Sequence, residues 1–144
     1  MDSPRFRRWA WRALGLITLA VIAITFWPTP VDRPFQLAIG RALAFLHRNG
    51  LPHWVTYAVV ESASNVVMFV PIGALIAILV RPSFWWVSGV LGLLASSCIE
   101  LAQLLFLPAR YASLGDVAAN TSGALLGGAI ICILRYIQTH RSPA

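Results

Sequence analysis

Six polar side chains lie in or beside otherwise apolar stretches of this chain: Asn65, Glu100, Gln103, Arg110, Asp116 and Asn120. Two carboxylates in unlike surroundings can divide acid and base work: Glu100, inside an apolar run, suits a proton donor, and Asp116, close in sequence to Arg110, suits a base held ionised. The Arg110 guanidinium is a planar forked donor matched to phosphate or carboxylate. The carboxamides of Asn65, Gln103 and Asn120 can orient a bound polar group by hydrogen bonds. Glu61 is a weaker addition, since glutamate is common at interfaces. No histidine falls among these residues, because His47 and His53 lie in a loop and His140 in the tail. Ser97 and Ser113 have no neighbouring base in a recognised motif. HExxH, CxxC and DxD spacings are missing from the sequence, so neither a metal nor a cofactor is expected.

What must position these groups is set by composition. The 144 residues are 58% hydrophobic and 11% charged, with a mean hydropathy of +0.75, too apolar for one soluble core of this size. Lipid is the implied solvent. A carboxylate inside a run long enough to span a bilayer costs a few kcal/mol at least, so Glu100 is there for a function or for a paired structural role. All eleven basic residues are arginine, against five acids, for a net charge of +6. In a membrane protein that excess speaks to topology and anionic lipid. Without a basic face carrying interleaved aromatics outside the apolar runs, nucleic acid is not an expected partner.

Four apolar segments follow: Ala13–Trp27, Ala58–Val80, Phe84–Leu107 and Val117–Ile137. The last three meet the roughly 20-residue requirement of a spanning helix. The first is short and needs Trp9 to Arg12 to reach the interface. Its arginine-rich lead resembles a signal peptide, but Trp27-Pro28-Thr29 offers no small-residue cleavage site, so it reads as an uncleaved anchor. Arg5, Arg7, Arg8, Arg12, Arg81, Arg135 and Arg141 fall on one side, against Arg33, Arg41, Arg48 and Arg110 on the other, which places both termini in the cytoplasm. Between the first two spans, Phe35, Ile39, Ala42, Leu43 and Leu46 recur at helical spacing after Asp32 and Pro34 and stop at Asn49-Gly50. This predicts either an amphipathic helix on the outer leaflet or a short lid over the bundle. The fold class expected is therefore all-α: a polytopic membrane protein with four transmembrane helices and an outer interfacial amphipathic helix, residues 1–144 forming one domain.

Helical periodicity then sorts the faces. Gly92, Ser96, Glu100, Gln103 and Leu107 share a stripe of the third span, leaving Leu93, Leu94, Leu101 and Leu105 for lipid or neighbours. On the fourth span Asp116, Asn120, Gly123 and Gly127 line one face, and the two glycines make a small-xxx-small surface for close helix approach, within the bundle or between copies in a homo-oligomer. Glu61 and Asn65 share a face of the second span, and Pro71 frees a carbonyl deeper in it. Cys98 and Cys132 lie at different depths, which makes a bridge between them geometrically implausible.

Three stretches taken in order carry a resemblance: Asn65-Val-Val-Met-Phe-Val-Pro71-Ile-Gly73, Ser96-Ser-Cys-Ile-Glu100-Leu-Ala-Gln103, and Arg110-Tyr-Ala-Ser113-Leu-Gly-Asp116-Val-Ala-Ala-Asn120-Thr-Ser-Gly123. Together they resemble the VanZ-like family of small bacterial membrane proteins, over about residues 65–128. Ala109 stands where glycine is expected before the arginine. The resemblance implies a multi-pass protein of the bacterial cytoplasmic membrane, in a family named for a member associated with low-level teicoplanin resistance. That name reports a phenotype and carries no reaction with it.

Three readings of the polar cluster compete. It can be interhelical glue, with Arg110 paired to Asp116 and the amides bonded across helices. It can bind a membrane lipid or lipid-linked cell-wall precursor at the outer leaflet, the reading preferred from the residue types. It can be an enzyme acting on such a lipid-linked substrate, with Glu100 and Asp116 as acid and base.

Overall fold

In the computed structural model, residues 3–27, 33–107 and 113–141 are described. Five α-helices carry the chain, and no strand occurs among the described residues: α1 Pro4–Thr25, α2 Gln36–Arg48, α3 Tyr57–Leu79, α4 Val87–Phe106 and α5 Leu114–Arg141. Short 3-10 turns at Arg33–Phe35 and Pro82–Phe84 lead into α2 and α4. Four helices, all but α2, are long and apolar enough to cross a membrane. The first begins at Pro4, well before Ala13, because Ser3 caps it by accepting from the Phe6 N–H and Pro4 fits its first turn. Trp9 to Arg12 are thus helical.

The tightest pairing is α3 with α5. The two run parallel, and residues 57 apart face each other, as Ile78 and Arg135 do. Val66 meets Gly123 and Val70 meets Gly127, backbone carbonyl against glycine, while Gly73 of α3 meets the Ala124 carbonyl in return. In each case the carbonyl stands where a Cβ would be, which is the geometry of a Cα–H···O contact. The small-xxx-small face is therefore covered by α3 of the same chain. Helix α4 lies antiparallel on α5, with Gly92 against Ala124 and Ser88 against Gly128.

The apolar core sits along α3. Leu75, Ala77 and Ile78 close on Ala10 of α1 and Ile131 of α5. One or two turns away, Phe69, Ile72 and Ile76 close on Val21 and Ala124. Helix α4 inverts the soluble pattern: its buried residues are Ser88, Gly89, Gly92, Ser96, Glu100 and Gln103. Leu93, Leu94, Leu101, Leu104 and Leu105 are exposed. Such a helix is stable only where the surroundings are as apolar as leucine.

Helix ends in lipid leave carbonyls that the chain itself must satisfy. At the end of α3, Arg135 donates from Nη1 to the Ala77 carbonyl at 2.9 Å and from Nη2 to the Ile78 carbonyl at 3.0 Å. Arg7 of α1 donates to Leu79 at 3.1 Å. Two helices thus cap a third. Arg135→Ala is expected to cost about 2 kcal/mol, within the range for hydrogen bonds from a charged donor. Arg135→Lys should recover only part of it, because an ammonium cannot span two carbonyls as the fork does. Equilibrium unfolding in detergent micelles measures both.

Helix α2 has no buried residue. It ends as expected at Asn49-Gly50. Gly50 takes φ +100, its N–H bonds His47 and that of Leu51 bonds Leu46, both to backbone carbonyls. Those two bonds are the Schellman pattern. Asp32, the expected cap, lies outside the described residues, and Phe35 precedes α2 without a side-chain cap bond. Both cysteines are free.

Candidate functional site

At the end of the bundle opposite the arginine caps, four helices contribute to one buried polar layer. Helix α4 carries Ser96, Glu100 and Gln103, each less than a tenth exposed, and α5 carries Asn120. Asn65, half-buried, comes from α3, and Thr25 from the last turn of α1.

The start of α5 explains where Glu100 goes. Ser113 precedes the helix, and its Oγ accepts from the Asp116 N–H at 3.3 Å. In the reciprocal form of this cap, the acidic residue three positions on bonds back to the cap's own N–H. Here Asp116 turns away, and its Oδ1 accepts from the Asn65 amide at 2.8 Å. Glu100 of α4 takes the vacated role, accepting the Ser113 N–H at 2.7 Å. The capping box is shared between two helices, and a carboxylate at the positive end of α5 is also favoured by the helix dipole.

The carboxamides are placed with equal economy. Gln103 donates to the Thr25 carbonyl at 2.8 Å, fully buried, and so closes the end of α1. Asn120 donates to Ser96 Oγ at 2.9 Å. Its own Oδ1 is buried and has no hydrogen-bond partner among the described residues. Ser96 engages only one end of the carboxamide, so either orientation leaves a polar group unsatisfied, at a cost of about 1–3 kcal/mol.

Of the residues singled out from sequence, Asn65, Glu100, Gln103, Asp116 and Asn120 are brought to this layer. Arg110 lies outside the described residues. Glu61 is exposed, one turn before Asn65 on α3. Thr25 was not legible as a member, since nothing local ties it to a glutamine 78 residues away. Ser96 and Ser113 stand in the family-like stretches, but their parts as acceptor and cap need the neighbouring helices. His47, expected in a loop, is in the last turn of α2; its ring lies 5.0 Å from that of His53 in the following loop, and its Nε2 bonds the Val55 carbonyl at 3.1 Å.

A helical bundle with four spanning-length apolar helices and an inward polar layer defines a multi-pass membrane protein. The sequence pattern of the VanZ/LLP1 family matches residues 14–135, most of the chain, and the chain belongs to that family. The match reaches back through α1 and the loop, well before Asn65, where the recognisable stretches begin. No curated protein and no solved structure matches the chain significantly.

Proposed function

We infer that the polar layer receives the head group of an amphiphile, a membrane lipid or lipid-linked cell-wall precursor, from the leaflet at that end of the bundle. The observation that supports this most directly is the orphaned Asn120 oxygen. It lies in a layer where Gln103, Asn65 and Glu100 each have a bond. An acceptor of this kind is satisfied by a hydroxyl, amide or ammonium donor of a ligand. Arg110, three residues before Ser113 in sequence, would meet a phosphate or carboxylate of the same head group. The arginine distribution supports an orientation with this end at the outer face of the bacterial cytoplasmic membrane and both termini inside. Capture of a cell-wall precursor there would alter glycopeptide susceptibility.

Thermal unfolding of purified protein with a panel of amphiphiles (phosphatidylglycerol, a polyprenyl-phosphate-linked precursor, teicoplanin) tests this. One ligand at about 100 times its Kd should stabilise wild type by about 2.7 kcal/mol, and Asn120→Leu should lose that increment. Equal shifts in both proteins, or none with any of the three, would count against the site.

A second reading is catalysis on the same ligand. One observation favours it: Ser113 links Glu100 to Asp116, its N–H on the first carboxylate and its Oγ on the backbone of the second. The candidate acid and the residue that carries the candidate base thus engage the same capping serine. Turnover of a bound precursor that stops in Asp116→Asn would establish it.

A further inference from the structure

We propose that the bundle-distal face of α1 is a binding site for an anionic phospholipid, at the end of the bundle opposite the polar layer and independent of it. Phe6, Ala10, Ala13, Leu14 and Ile17 turn α1 toward the core. At 3.6 residues per turn, Arg5, Arg8 and Arg12 then cluster within about 60° of arc on the opposite side. All three are exposed; the neighbouring Arg7 is exposed too, but its guanidinium is engaged by the Leu79 carbonyl. Directly below them on the same side are Leu16 and Leu19, 69% and 64% exposed.

This face reads downward as three phosphate-seeking forks and then an apolar track. Arg5 to Leu19 covers roughly 20 Å of helix, close to half of a bilayer of about 40–45 Å including head groups. It therefore matches one lipid from phosphate into its acyl chains. Trp9, 59% exposed, flanks the arginines and stacks on Phe6 at 5.9 Å, an amphipathic ring at head-group level. Charge complementarity selects the occupant: arginine pairs with phosphate bidentately. A zwitterionic lipid offers the same phosphate beside a competing cation.

The test is native mass spectrometry of protein released from nanodiscs of equal phosphatidylglycerol and phosphatidylcholine. Wild type should retain phosphatidylglycerol with a several-fold preference. R5Q/R8Q/R12Q should bring that preference close to unity, R8Q alone should lower it part-way, and Arg41→Gln on α2 should leave it intact. Because the three side chains face away from the bundle, the triple variant should melt with wild type. No preference in wild type, an undiminished preference in the triple variant, or unfolding of that variant would each overturn the proposal.

Discussion

Alanine at Gly127 is expected to lower the stability of this protein by about 1–3 kcal/mol, the usual range for forcing a methyl group into a filled contact. The same substitution at Gly15 is expected to raise it by up to about 1 kcal/mol. Both positions are helical, so both gain the propensity difference between glycine and alanine. At Gly15 nothing lies within 4 Å of the added Cβ. At Gly127 the Cβ would overlap the Val70 carbonyl and press on Ala74 N. These are backbone atoms, which move only if α3 and α5 separate. That separation would pull Gly123 off Val66 and loosen the footing of Asn65 against Asp116. Equilibrium unfolding of the two variants beside wild type, in one detergent, reads the sign directly. A stabilising Gly127→Ala would mean that the parallel α3–α5 seam is not the contact that holds the bundle.

The second large effect is expected at Glu100, where structure and function can be pulled apart. Glutamine completes a capping box as glutamate does, and its amide oxygen can accept the Ser113 N–H that Glu100 now takes. Glu100→Gln should therefore keep this cap and fold, losing about 1 kcal/mol or more with the charge. Hydrogen bonds to an ionised acceptor are roughly twice as strong as neutral ones. A ligand donor placed on the carboxylate should bind about tenfold more weakly to the variant. Isothermal titration with the amphiphile that stabilises wild type measures this ratio. A ratio near one would reduce Glu100 to its capping duty.

The features that sequence made legible are those where lipid simplifies the pattern. Span number follows from run length, and the inward face of α4 follows from helical spacing, because a stripe of Gly92, Ser96, Glu100 and Gln103 has nowhere else to go in hydrocarbon. Asn49-Gly50 marked its helix end for the local reason that a left-handed residue closes a Schellman turn. Other features depend on partners distant in the chain. Arg135 reads in sequence only as a topological charge, because the helix end that it caps lies 57 residues away. Gln103 suggested a ligand contact, yet its amide hydrogen closes α1 at Thr25. Gly123 and Gly127 announced a close approach without saying to what, and the answer is the α3 backbone. The start of α1 is a different case: Ser3-Pro4 is a sound local start signal, masked by four arginines that make the stretch read as polar.

The most direct measurement is native mass spectrometry of the protein released from its own membrane, wild type beside Glu100→Gln and Asn120→Leu. A ligand-binding polar layer predicts a discrete co-purifying amphiphile on wild type that both folded variants lose. Bulk phospholipid alone on wild type, with both variants carrying the same, would contradict it and leave the layer as interhelical glue.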